Sequence, residues 1–241
     1  MKKRIFAICM AAVMLTGCGS TAAGTPDAGA SGSPGSPAAA GKKDEKIDRE
    51  NEQLDYNNGW TDVELPYPAR LKRCPYGLTG VLATNTVTDF EGDEYDEENT
   101  VFYIFEEDFS DETEELPGLD QMLEETFIED VSDWFYRAFD SVADEFSTYT
   151  IESKEEKEIL GYKALRASGT IQTKNGPALD EDSYIVHFTS YYSIFKNAYS
   201  DKEEYLPVMW MAFTLSNDEE VLDDMNYIAD LALTKAKPYE R

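Results

Sequence analysis

Histidine occurs once in this 241-residue sequence and cysteine three times, and 49 aspartates and glutamates outnumber 21 lysines and arginines. Each scarcity excludes something. A zinc site takes three or four ligands from cysteine and histidine, and this inventory hardly supplies them. Nucleic-acid binding needs clustered cationic side chains to neutralise phosphates, and a formal charge of −28 opposes it. No apolar run reaches the roughly 20 residues of a spanning helix. Absent too are G-x-S-x-G, a P-loop, a dinucleotide-binding glycine turn and H-E-x-x-H, so the chain is expected not to be an enzyme. Facing carboxylates of the glycosidase type stay open, because with 49 acids folding alone decides which meet. What is present suffices for a core, with 41% hydrophobic and 12% aromatic residues.

The N-terminus carries an address. Lys2, Lys3 and Arg4 precede an apolar run from Ile5 to Leu15, which is the layout of a signal peptide. The run ends in Leu15-Thr16-Gly17-Cys18, which resembles a bacterial lipobox. That resemblance implies diacylglycerol on the Cys18 thiol, cleavage after Gly17, and acyl chains such as palmitate anchoring the mature protein to the cell membrane on its extracytoplasmic side. An ordinary secretory signal with an incidental Cys18 is the alternative. Loss of residues 1–17 removes three cationic side chains, leaving 18 against 49 carboxylates.

The expected organisation is a signal peptide over 1–17, a linker over 18–53 and one acidic domain over 54–241. From Gly19 to Gly41 every residue except Asp27 is Gly, Ala, Ser, Thr or Pro, a composition that buries nothing and predicts a flexible tether. Lys42 to Gln53 is densely charged and continues the linker or forms a short helix. With Cys9 cleaved off and Cys18 lipidated, Cys74 stands alone, so no disulfide forms within the mature chain. It is read as a packing cysteine; a nucleophile paired with His187 is the other reading.

Alternation predicts strands near 62–67, 79–88, 100–106, 147–158, 160–173, 183–196 and 206–216. A helix is expected from Gly118 to Glu145, with Leu119, Met122, Leu123 and Phe127 opening its apolar stripe. A second starts near Asp218, capped by Asn217 or Ser216, with Val221, Met225, Ile228, Ala229 and Leu233 on its buried face and Pro238 closing it. In Leu206–Leu215 the even positions carry Leu206, Val208, Trp210 and Ala212, and the odd ones Met209, Met211, Phe213 and Leu215. Two apolar faces place this strand centrally in a covered sheet. The fold class is α+β, an antiparallel sheet covered by helices on both faces in an α/β/α sandwich. The order of elements resembles the PsbP/Mog1-like family, through the central helix, Gly161-Tyr162-Lys163-Ala164 with its long strand pair, and Trp210-Met211-Ala212-Phe213-Thr214 running on to Asp230-Leu231. The resemblance implies a non-catalytic domain that binds other proteins. It brings over no functional residue, and the acidic stretch at 89–115 departs from it.

That stretch holds fourteen carboxylates in 27 residues and no cation, Asp89, Glu91, Asp93, Asp96, Glu97 and Glu98 among them. Three readings are open: a Ca²⁺ site, although Asp89-Phe90-Glu91-Gly92-Asp93 lacks the EF-hand order; a docking surface for a basic envelope protein; and solvated loops that keep the domain soluble. His187 shares a strand face with Ile185, Thr189 and Tyr191 and is expected to be hydrogen-bonded beneath a helix. Tyr191, Tyr192, Tyr199 and Tyr205, with Trp60, are either packing residues or a stacking surface for a sugar or peptide. The function expected is a membrane-anchored lipoprotein with a non-catalytic, acidic interaction domain. A small-ligand or Ca²⁺ receptor is the alternative, without the repeated strand–helix alternation of two-lobed receptors.

Overall fold

Long alternating runs rich in Val, Ile, Thr, Tyr and Phe assemble mostly into antiparallel strands. The computed structural model describes residues 48–57, 59–73, 81–85, 100–107, 116–126, 146–173 and 185–239. Gly17, Cys18, Cys74 and the acidic residues Asp89, Glu91, Asp93, Asp96, Glu97 and Glu98 lie outside them. In chain order the elements are β1 (Leu54–Asn57), β2 (Val63–Pro68), β3 (Lys72–Arg73), β4 (Val81–Asn85), β5 (Thr100–Glu107) and α1 (Leu119–Glu125). They continue with β6 (Phe146–Ile159), β7 (Tyr162–Thr173), β8 (Ile185–Lys196), β9 (Tyr205–Thr214), α2 (Glu219–Asp230), α3 (Ala232–Lys235) and β10 (Lys237–Pro238).

Among the described residues the main sheet has seven strands in the order β3-β4-β5-β9-β8-β7-β6, and a small one has the order β1-β2-β10. Every pairing between the described strands is antiparallel. β9 lies at the centre, between β5 and β8, as its two apolar faces require. Met209, Met211 and Phe213 join Phe102, Phe188 and Tyr192 in one buried cluster, which also takes Met122 and Leu123 from α1. Val208, Trp210 and Ala212 join Tyr103, Tyr191 and Phe195 in a second, with Val221, Met225, Ile228 and Ala229 from α2. Burying one such apolar side chain fully contributes about 1.5–3 kcal/mol. The Trp210 ring stacks on Tyr191 at 5.0 Å, and its Nε1 donates to the Ala229 carbonyl at 3.1 Å, locking α2 to the sheet.

The strands reaching this sheet twist tightly at one hairpin. β6 and β7 are joined by Leu160 and Gly161, with φ of 51° and 89°. Positive φ at both central positions is the type I′ arrangement, whose twist matches that of the flanking strands. Glycine adopts it freely, and leucine does so at a steric cost.

Two expectations change. The cap of α2 is Asp218, whose carboxylate accepts from Glu220 N at 2.8 Å; Ser216 Oγ accepts from Asp218 N instead, and Asn217 turns to His187. Pro238 does not close the helix but pairs with Val63 in β10, α3 having ended at Lys235. In the charged segment, Arg49 pairs with Asp223 at 2.8 Å, and Glu52 pairs with Arg70, which also holds Asp224, so residues 49–52 are tied to α2. Of the helix expected over 118–145, residues beyond 126 lie outside those described.

Candidate functional site

Three aromatic residues from distant parts of the chain meet at the surface. Trp60 lies between β1 and β2, Tyr199 in the β8–β9 turn, and Tyr239 just after β10. Backbone bonds hold these segments together: Ala198 N to the Trp60 carbonyl at 2.8 Å, Asp62 N to the Lys196 carbonyl at 2.9 Å, and Tyr239 N to the Asp62 carbonyl at 2.9 Å. The turn is shaped locally, because Asn197 Oδ1 accepts from Tyr199 N at 2.9 Å. The Trp60 and Tyr199 rings meet edge-on at 5.0 Å, and Tyr199 and Tyr239 lie 5.9 Å apart with their hydroxyls 2.8 Å from each other. Trp60 is 52% exposed and Tyr199 40%, so much of their apolar surface meets water. Such rings stack on planar groups or receive cations, and neither role requires catalysis.

One carboxylate anchors the cluster from below. Both oxygens of Glu107, at the end of β5, accept from Trp60 N, at 2.9 and 3.1 Å. Gly59 makes room, since a Cβ there would stand 2.8 Å from Glu107 Oε2 and nearer still to Oε1. Burial raises the Glu107 carboxyl above its usual range, against the opposing hydrogen bond from Trp60. Two residues after Trp60, Asp62 Oδ2 accepts from the Tyr162 hydroxyl at 2.6 Å, and burial, followed by Asp62, pushes that hydroxyl up to about 12. Asp224 on α2 is also raised, by burial that outweighs its arginine partners.

These raised carboxyls set the sign of the pH dependence. Between the ordinary carboxyl value and the raised one, the folded chain holds protons that the unfolded chain releases. Stability therefore falls as pH rises through that window. The melting temperature is expected to be higher at pH 5 than at pH 7.5, with Glu107→Gln removing part of the difference. Asp48 and Glu155, lowered by hydrogen bonds from Asn51 and Lys157, oppose this only below the ordinary carboxyl range. A calorimetric scan series checks the sign: a melting temperature that falls from pH 7.5 to pH 5 contradicts it.

Other charged groups pair between sheet and helix. Arg166 Nε donates to Asp230 Oδ1 at 2.9 Å, the Tyr191 hydroxyl donates to the same oxygen at 2.6 Å, and Thr189 donates to Asn226 Oδ1 at 2.7 Å. His187 is half-buried with Nε2 3.1 Å from Asn217 Oδ1, hydrogen-bonded at the start of α2. Among the described residues, no group of three or more His, Cys, Asp or Glu is placed to hold a metal ion.

The five aromatics singled out in the sequence divide. Tyr191 and Tyr192 are fully buried and belong to opposite faces of the sheet. Tyr205 is half-buried with its hydroxyl on Glu203, and Trp60 and Tyr199 are brought together. Tyr239 was not foreseen. Its one signal is the Lys237-Pro238 step, which forces extended backbone after the helix and so returns the chain to β2.

In structure the chain is similar to the cyanobacterial PsbP protein CyanoP of Synechocystis, at 13% identity over 85% of this chain and 98% of that one, with a TM-score of 0.38. It is also similar to PA94, a Pseudomonas aeruginosa protein of unknown function, at 8% identity over 79% of this chain and 99% of that one, with a TM-score of 0.33. No residue role is taken from either. No protein-family model matches the chain, and no curated protein does.

Proposed function

We propose that this chain is a lipid-anchored protein of the bacterial cell envelope whose folded domain docks a partner protein and catalyses nothing. The domain is read as a sheet covered by helices on both faces, held off the membrane by the tether that follows Cys18. The observation that carries the docking role is the surface cluster of exposed Trp60 and Tyr199 with half-buried Tyr239. Exposed aromatic side chains with fixed rings lose little entropy on binding, which is why they dominate protein interfaces. The lipobox sequence Leu15–Cys18 supports the anchor, and the excess of carboxylates supports a basic partner.

Crosslinking in native cells tests this. The anchored chain is expected to capture one envelope protein, and the double variant Trp60→Ala/Tyr199→Ala to lose it. No capture, or equal capture by the variant, overturns docking through this cluster.

A further inference from the structure

We infer that the Trp60–Tyr199–Tyr239 face is the seat for a cationic side chain, a lysine or arginine on a basic segment of the docked protein. This rests on the docking role proposed above and names what the cluster recognises. Two polar contacts within the cluster are internal. The Tyr199 and Tyr239 hydroxyls share a hydrogen bond, and Glu107 spends both oxygens on Trp60 N. Trp60 and Tyr199 are 52% and 40% exposed, and an aromatic face carries the negative side of the ring quadrupole. A sugar needs a set of directed polar partners; a cation needs the ring face and negative surroundings.

The surroundings are negative. Glu107 is bonded to Trp60 N, and the turn that carries Tyr199 also carries Asp201, Glu203 and Glu204. Its one lysine, Lys202, stands 3.7 Å from Glu204. The domain already uses this chemistry internally. The Arg49 guanidinium sits 4.6 Å over the Tyr227 ring, and Lys237 Nζ sits 3.7 Å over Tyr56, on the short strand that leads into the Trp60 turn. Over the whole chain, a formal charge of −28 draws basic segments towards it.

Calorimetric titration of the full chain in detergent with pentalysine, and with its fully acetylated counterpart, tests the seat. Pentalysine is expected to bind and the acetylated peptide not to. Trp60→Ala/Tyr199→Ala weakens pentalysine binding by about tenfold or more at physiological salt, the size expected for losing two ring–cation contacts. Trp60→Phe/Tyr199→Phe keeps the rings and stays within about threefold of the parent. Removing remote charge by Glu155→Gln/Glu156→Gln on β6 changes binding by less than about twofold, since exposed charges beyond a Debye length are screened. Equal binding of the acetylated peptide overturns the inference, as does alanine-variant binding equal to that of the parent. The docking role is judged separately: a partner lost from the alanine variant, with pentalysine binding unchanged, leaves docking standing and refutes the cationic seat.

Discussion

Replacing Arg70 with alanine is expected to cost about 3–5 kcal/mol of folding stability at neutral pH, the range for stripping one partner from a buried ion pair. Arg70 grips Asp224 with two nitrogens, at 3.0 and 2.8 Å, and turns its Nε to Glu52. The Asp224 side chain is 1% exposed on the buried side of α2. Without the fork, Asp224 is left with Arg49 at 3.8 Å, too distant for a hydrogen bond. A domain with a total stability of about 5–15 kcal/mol feels such a loss as a large fraction. Urea unfolding of the variant measures it. The deficit shrinks on acidification, because the stranded carboxylate takes up a proton whose affinity burial has already raised. Replacing both partners of the fork with apolar residues, Arg70→Met/Asp224→Leu, is expected to recover only part of the loss, because Glu52, 8% exposed, still lacks its cation. A cost below about 1 kcal/mol for Arg70→Ala would place the pair among exposed bridges and remove the reason for the 48–53 segment to dock.

That segment shows how the sequence is legible at one range and opaque at another. Strand alternation is a local signal, so all seven expected strands have counterparts, and the central position of β9 follows from its own ten residues. The charged run Lys42–Gln53 reads as linker for the same reason, because locally it has nothing to bury. Its partners Arg70, Asp223 and Asp224 lie far along the chain, and only folding brings them to Arg49 and Glu52. Capping of α2 went to Asp218 because three adjacent residues, Ser216, Asn217 and Asp218, all carry a capping side chain, and His187 on β8 takes the middle one. The surface cluster is the extreme case. Trp60, Tyr199 and Tyr239 share no periodicity, and their meeting depends on the pairing of β2 with β10 and on the register of the β8–β9 turn.

The same dependence on long-range register gives the second large effect. Gly169→Ala is expected to cost about 3 kcal/mol or more, at or beyond the upper end of ordinary overpacking. Gly169 sits on β7 between Ile151 of β6 and Phe188 of β8. β6 carries a register shift between Ile151 and Ser153 that presses its backbone inward at this point. A Cβ on Gly169 would stand 3.0 Å from the Thr150 carbonyl carbon, 3.1 Å from Glu152 N, and well inside contact distance of the Thr150 oxygen. These are backbone atoms, so no rotamer change relieves the clash and β6 itself has to move. β6 is an edge strand, paired only with β7 among the described strands, so it is the element that yields. Hydrogen exchange is therefore expected to accelerate at 148–152 first, while β9 at the centre keeps its protection. Thr170→Ala, one residue along and opposite Thr150, has no such contact to relieve and is expected to stay within about 1 kcal/mol. If Gly169→Ala proves as mild as Thr170→Ala, the bulge does not hold the two backbones in contact, and the register of β6 is set by its side chains instead.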